Sequence, residues 1–460
     1  MAEVANVKAL DPLSRRDFLK TGAAMAAMGG GGAAMAAARA GKRTIRAAIV
    51  GCGGRGTSLQ PPKNAQDVYR FGALGNLVAA ADLLRQSGVD VEVKPIAFAD
   101  YFLERAKVAA RKFGVDESNA YGGANSYKQI MARPDVDVVL LVTPLCFRPR
   151  HTMAAVKAGK HIFAEKGVAV DAPGVREMIA ASRLAGEKHL TLVCGTQRRH
   201  QRGYLMQKKA LDEGRIGPIT SGEIYWNCGS SWVRPRTPEM SNKDYLCNNW
   251  YNFSEMSGDH VCEQHVHSID VANWFIGRCP RSVLSFGART RRVSGNDYDF
   301  FSSDFDYGGG VHVHSMCRQI NGCKKDVREF FRTREVLISG GASVKTWEGR
   351  TVALDGDFPD VNPYVQEHVD LLKSILGIGP YLNEGEGCAM ASACAVMARL
   401  SAYTGQIVTM ADLLRSENSP YYNLAMTPAP ADFERDGDIP MPTYGDNQWP
   451  LPGEAWKPAT

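Results

Sequence analysis

Residues 44–50 form a nearly unbroken apolar run, Thr-Ile-Arg-Ala-Ala-Ile-Val, which predicts a buried strand. It opens directly into Gly51-Cys52-Gly53-Gly54-Arg55-Gly56. Similar strand candidates follow at 94–100, 136–143, 161–166 and 190–196, separated by helix-like stretches such as 102–113 and 152–158. Strands alternating with helices predict an α/β fold with a parallel, doubly wound sheet over residues 43–200. The pattern then changes. Residues 201–385 carry shorter β-like runs at 219–226, 282–290, 311–316 and 335–338, bounded by Gly and Asn, as expected of an open antiparallel sheet. An Ala-rich stretch at 386–403 predicts one long helix. From Pro420 onward there are eight prolines in 41 residues, so 406–460 reads as an extended arm with little regular structure.

A chain of 460 residues predicts two or three domains. With 44% hydrophobic and 22% charged residues, its composition is that of a globular protein and excludes disorder or a collagen-like repeat. No stretch of about 18 apolar residues occurs, so no permanent membrane span is expected. The N-terminus is different in kind. Ser14-Arg15-Arg16-Asp17-Phe18-Leu19-Lys20 matches the twin-arginine export pattern, an Ala/Gly/Met-rich stretch follows at 21–38, and Ala38-Arg39-Ala40 supplies the small residues a signal peptidase requires. Residues 1–40 therefore read as a signal for the twin-arginine export machinery, and the protein as periplasmic or otherwise exported. The remainder has 49 basic and 46 acidic residues, a balance that gives no electrostatic reason for a nucleic-acid partner. The 11 cysteines are odd in number, scattered and without a Cys-x-x-Cys pair, which fits small buried apolar groups better than a zinc or thiol-redox site.

The glycine segment is G-x-G-x-x-G at a strand-to-helix junction. Gly51 permits the tight turn, Gly53 lets the backbone approach a pyrophosphate, and Gly56 lets the helix pack on the strand, with Gly54 and Arg55 between them at the helix start. Asp100 ends the second strand candidate, where a carboxylate can bond the ribose hydroxyls of NAD and repel the 2′-phosphate of NADP. It lies 44 residues after Gly56, against about 20 in the usual fingerprint, which places an insertion within 57–93. Capping of the 102–113 helix is a second role open to Asp100.

Four features together resemble the Gfo/Idh/MocA oxidoreductases, named for glucose–fructose oxidoreductase, inositol dehydrogenase and a rhizopine-catabolism protein. They are the glycine motif, Val142-Thr143-Pro144, the stretch Lys157-Ala158-Gly159-Lys160-His161-Ile162-Phe163-Ala164-Glu165-Lys166, and Glu263-Gln264-His265-Val266-His267-Ser268-Ile269-Asp270. The resemblance spans about 44–405. It implies an N-terminal Rossmann domain and a C-terminal α/β domain with a large, mainly antiparallel sheet, the 386–403 helix packing back on the nucleotide domain. In that family the sheet often forms the oligomer interface, so a homo-oligomer is implied. It also implies Thr143, Pro144, Glu165 and Lys166 beside NAD, with Lys166, His267 and Glu263 as the catalytic set. On one continuous helix Glu263 and His267 would share a face, the acid orienting the imidazole base. Lys166 would hold the substrate oxygen. Two departures stand out: Gly167 replaces the family's proline after Glu-Lys, and Leu145, Cys146, Phe147 and Arg148 follow Thr-Pro, with Arg148 a candidate for an anionic substrate or a phosphate.

Further substrate candidates are Arg198 (with its neighbour Arg199), Trp250 within Asn248-Asn249-Trp250-Tyr251, and Asp270. His260, Glu263 and His267 also have a spacing that metal ligands use, but the resemblance assigns two of them to proton transfer and no metal is expected. The reading is an oxidoreductase that moves a hydride between a sugar or polyol secondary alcohol and a tightly held NAD. An NAD-dependent glycoside hydrolase of the α-N-acetylgalactosaminidase kind and a non-catalytic sugar-binding protein remain open alternatives.

Overall fold

The computed structural model describes residues 42–59 and 71–442. The export signal and the last part of the proline-rich arm lie outside them. Six strands build the first sheet: β1 (Arg43–Val50), β2 (Val91–Asp100), β3 (Ala120–Gly122), β4 (Val138–Leu141), β5 (His161–Ala164) and β6 (Leu192–Cys194). All pairs are parallel and the order is β3-β2-β1-β4-β5-β6, the doubly wound arrangement expected, with the switch point beside β1. β1 is buried along Ala47–Val50 because helices cover both faces of the sheet.

The insertion has a definite place. The glycine motif starts only one helical turn, Gly54–Thr57, and a longer helix resumes at Ala73–Gln86. The chain leaves at Ser58 and returns at Gly72, whose N–H bonds the Ser58 carbonyl at 2.8 Å, while Leu59 and Phe71 form an antiparallel bridge across the neck. The excess length between Gly56 and Asp100 thus interrupts the first helix and leaves the strands undisturbed.

The second sheet has eight strands: β7 (Ser221–Cys228), β8 (Ser282–Ala288), β9 (Phe300–Asp306), β10 (His312–Gln319), β11 (Asp326–Arg332), β12 (Val336–Ser339), β13 (Ser343–Thr346) and β14 (Val408–Thr409). The order is β13-β12-β11-β7-β10-β9-β8-β14, antiparallel except for the central β7–β10 pair. Along β10 the inward residues Val313, Ser315, Cys317 and Gln319 are buried, and the outward His312 and His314 are exposed. The inner face is covered by the helix Val266–Ile276 and the 20-residue helix Gly385–Thr404. The latter packs on the helix Ala172–Glu187 and on β8. Its Ala, Ser and Cys side chains let both neighbours approach, so almost all of it is buried. All 11 cysteines are free thiols and most are buried.

Burial has a consequence for acid stability. Desolvation holds His151, His260 and His265 neutral, with pKa values brought down to about 3. Their unfolded values lie near 6.5, so the stability they contribute is intact above that pH and is lost as pH falls toward 3. Each contributes up to about 1.4 kcal/mol per pH unit in that window. Burial raises Asp171, Asp259 and Asp297, which take up protons in the folded chain and offset part of the loss at the acid end. The urea midpoint is expected to fall between pH 7.5 and pH 5; an unchanged or higher midpoint at pH 5 would contradict this.

Candidate active site

At the carboxyl ends of β1, β2 and β4 lies a cleft lined by Gly51, Gly53, Asp100, Thr143, Pro144 and Trp250, among others. The glycines divide their tasks as a dinucleotide requires. Gly51 sits at φ +102°, and a Cβ there would come 2.5 Å from the Val142 carbonyl oxygen. A Cβ on Gly56 would fall on the Gly51 carbonyl, so it must be absent for the turn to close. A Cβ on Gly53 or Gly54 would meet nothing within 4 Å: that side of the turn is open to a ligand. Asp100 caps the neighbouring turn. Its Oδ2 accepts from the Cys52 N–H at 2.8 Å and its Oδ1 from the Phe102 N–H at 2.9 Å. Burial raises its pKa and these two amides oppose the rise. A carboxylate has about four acceptor sites, so two backbone bonds leave capacity for ribose hydroxyls. These residues fit NAD.

The second centre adjoins the cleft through the 143–147 segment. Lys166, just beyond β5, turns its Nζ to Glu263, donating to Oε1 at 2.8 Å and also to the Glu263 backbone carbonyl. This corrects the expected pairing of Glu263 with His267. The helix carrying them is broken: Asp259–Glu263 ends at Gln264, and a new helix begins at Val266. Across that break the i, i+4 face rule does not hold. His267 is instead stacked on Trp226 of β7, with ring centroids 5.5 Å apart and planes at 18°. Its buried Nδ1 has no hydrogen-bond partner. Desolvation, then the charges of Lys166, Arg198 and Arg55, push its pKa well below the ordinary range, so the imidazole is neutral at pH 7. Lys166 and His267 therefore share one neighbourhood despite their separation in the chain.

Around this pair lies a network with little signal in the sequence. The Tyr251 hydroxyl donates to the Glu263 side chain and accepts from Gln319 Nε2 at 3.0 Å; Gln319 also donates to Gln264 Oε1 at 2.9 Å. Tyr251 was visible beside Trp250, but its tie to Glu263 was not. Gly167 has a local reason: a Cβ there would lie 2.5 Å from the Cys262 carbonyl oxygen, so the helix bearing Glu263 comes too close for the family's proline.

Other candidates are committed elsewhere. Arg148 is buried, and its Nη1 donates to the carbonyls of Lys166 and Gly167, pinning that loop, while its buried Nε has no hydrogen-bond partner. Asp270 is held by Arg199 in a two-pronged pair at 2.8 Å and is 1% exposed, so it is a structural anchor and not a substrate contact. Arg198 donates to Glu329 at 2.5 Å and to Ser268 Oγ at 3.2 Å, with its guanidinium over Trp226. That places it against Trp226, the ring on which His267 stacks. Arg55 pairs with Glu165 and, at 3.6 Å, with Glu367, which ties the glycine turn to the Glu-Lys segment. Trp250 lines the dinucleotide cleft. Among the described residues no group of three His, Cys, Asp or Glu side chains is placed to hold a metal ion.

The C-terminal segment closes around the cleft walls. Glu434 accepts from Arg150 at 2.5 and 2.9 Å, from Lys128 at 2.8 Å and from Tyr127 at 3.0 Å. Burial alone would raise its pKa, but these donors outweigh it and bring it down to about 2. Phe433 packs edge-on against Phe147, a lining residue. A few residues on, Asp438 accepts from the N–H groups of Asn242 and Lys243, at the start of the helix that carries the lining residue Cys247. This part of the proline-rich arm is thus a strap across both walls.

The description "Oxidoreductase family, NAD-binding Rossmann fold" matches residues 45–195, and "GFO/IDH/MocA C-terminal domain" matches 204–338. A twin-arginine translocation signal sequence matches residues 12–32 and marks the chain for that export pathway. Inositol 2-dehydrogenase of Rhizobium meliloti (strain 1021) is 27% identical over 220 residues, covering 48% of this chain and 58% of that protein. The chain thus spans little more than half the length of this curated relative. Among solved structures, levoglucosan dehydrogenase in complex with NADH and levoglucosan aligns with TM-score 0.59 at 17% identity, covering 80% of this chain and 100% of that one. Aldose–aldose oxidoreductase from Caulobacter crescentus, complexed with glycerol, aligns with TM-score 0.57 at 18% identity and the same coverage. With the nucleotide half and the C-terminal half both matched in order, the chain belongs to the Gfo/Idh/MocA family of NAD-binding oxidoreductases.

Proposed function

We propose that the protein is an exported, periplasmic dehydrogenase that oxidises a secondary alcohol of a sugar or polyol with a tightly held NAD. The observation that carries this is the Lys166–Glu263 pair beside a neutral His267 whose buried Nδ1 has no hydrogen-bond partner, in a segment tied to the glycine turn by the Arg55–Glu165 pair. Bound NAD supplies the hydride acceptor. His267, neutral at pH 7, accepts the hydroxyl proton as the carbonyl forms. Lys166 gives two of its three N–H bonds to Glu263 and has the third for the substrate oxygen, where it stabilises developing negative charge. Glu263 acts by aiming Lys166. Asp100 favours NAD over NADP by repelling a 2′-phosphate. The sugar and inositol dehydrogenases among the relatives support an alcohol substrate. Exposed Leu284 and Phe286 on the outer face of β8 support self-assembly through the second sheet.

The test is a carbohydrate and polyol screen on NAD-loaded protein, reading absorbance at 340 nm and released products together. Substrate-dependent NADH supports the proposal; glycoside cleavage without net NADH would replace it with hydrolysis.

Outside the cytoplasm free NAD is scarce, so the enzyme has to retain it, and the strap is suited to that task. Glu434→Ala removes the acceptor shared by Arg150, Lys128 and Tyr127. It is expected to speed NADH release roughly tenfold, given about 1.5–3 kcal/mol for hydrogen bonds to a charged group. Stopped-flow displacement checks this; an unchanged release rate would remove the strap from cofactor retention.

A further inference from the structure

Three segments rim the reaction centre: 229–241 after β7, 289–299 between β8 and β9, and 318–325 from the end of β10 to β11. Contacts knit them together. The Ser230 N–H bonds Asn321 Oδ1 at 3.1 Å, Asn249 donates to Ser294 at 3.0 Å, and Arg292 bridges Asn252 and Gln319 at 2.9 and 2.7 Å. Gln319 in turn reaches Tyr251 and Gln264, next to Glu263. These segments contain eight basic residues and three acids, Glu239 and the buried Asp297 and Asp299, in a chain whose totals are nearly balanced at 54 and 49. Elsewhere surface cations mostly face carboxylates. Here Arg234 bonds Asn248, Arg236 bonds Asn242 and the Met240 carbonyl, and Arg318 bonds the Lys324 carbonyl. Among the described residues none of these three, nor Lys324 or Lys325, is paired with an acid. Lys325 and Arg318 are close enough to act on the Cys228 thiol, which itself donates to Gln264. Over the same rim stands Trp232, 41% exposed, with its ring 5.5 Å from Tyr251 and 6.1 Å from Trp250.

We propose that the substrate is an anionic carbohydrate, bearing a carboxylate or sulfate, whose ring lies against Trp232 and whose charge is taken by the basic rim. This deepens the dehydrogenase reading and rests on it. An ordinary solvated surface would intersperse both signs of charge, and a neutral sugar gives no use for a one-sided rim beside an exposed aromatic. The cations also favour capture: an anion entering a positive cleft associates faster, and salt weakens the effect.

The experiment uses NAD-loaded protein and matched pairs: glucose with glucuronate, galactose with galacturonate, and glucose with glucose 6-sulfate. Both NAD reduction at 340 nm and equilibrium binding are read, at low and high salt. The anionic member is expected to show at least a tenfold higher kcat/KM or affinity, declining with salt. Lys325→Ala and Arg236→Ala, both exposed, are expected to narrow that preference several-fold through KM, and the charge-keeping Arg236→Lys to restore part of it. Equal or better use of the neutral members overturns the inference and leaves the dehydrogenase intact. Preferential, salt-sensitive binding of anions without any NAD reduction overturns the dehydrogenase reading, and with it the anion as substrate, leaving the basic rim as a binding site alone. If no member of any pair binds with a charge preference, the inference fails.

Discussion

Lys166→Ala is expected to lower kcat by about 10²–10⁴, the range for losing a positioned proton-transfer or oxyanion-stabilising group. The NAD dissociation constant should change less than about threefold, because the glycine turn and Asp100 hold the other end of the cofactor. His267→Ala should fall in the same range, since the two groups act on one oxygen and its proton. The two losses will not add if both serve the same step. Glu263→Gln separates aiming from chemistry. The amide still accepts from Lys166 Nζ, so a milder loss is expected, about tenfold, without a new acid limb in the pH profile. Were Glu263 the partner of His267, its neutralisation would shift that limb instead. Retained NAD binding in each variant distinguishes lost chemistry from lost folding.

Asp270→Ala is expected to cost stability and not substrate affinity. It would strand the Arg199 guanidinium, whose side chain is only 16% exposed, and breaking a buried pair from one side costs about 3–5 kcal/mol. Melting temperature and urea midpoint should fall clearly, while KM for whichever alcohol is oxidised stays close to wild type in the protein that remains folded. Asp270→Ala with Arg199→Met should recover part of the loss, because no uncompensated charge is then buried. An unchanged melting temperature with a raised KM would return Asp270 to the substrate site.

Much of this was legible in one sequence. The β1-to-glycine junction and the alternation through β6 follow from local pattern and short spacing, which a linear reading captures, whereas Lys166 and His267 were singled out only through the family resemblance. What escaped has tertiary causes. No proline or glycine marks the break at Gln264 and His265. It is fixed by partners on β10, with His265 bonded to Ser315 Oγ at 2.6 Å and Gln264 to Gln319, so an i, i+4 argument failed where the sequence looked helical. Arg198 and Asp270 have the chemistry of substrate groups, yet both are paired inside the protein, and Arg148 is turned onto the Lys166 and Gly167 carbonyls; Glu329, the acid for Arg198, is 131 positions away. Gly167 looked like a lost constraint and is a close contact with Cys262. β9 and β11 carry outward charges that dilute their apolar alternation. The short helix within the proline-rich arm, Pro430–Glu434, is fixed by Arg150 and Lys128 across the cleft wall, which composition could not reveal.

The most direct measurement is single-turnover NADH formation at 340 nm, with NAD-loaded enzyme mixed against a sugar protonated or deuterated at the oxidised carbon. A burst slowed by deuterium in the wild type, and absent from Lys166→Ala protein that still carries NAD, is the result predicted. NADH forming at equal rates in both proteins would mean that the ammonium held by Glu263 takes no part in the reaction.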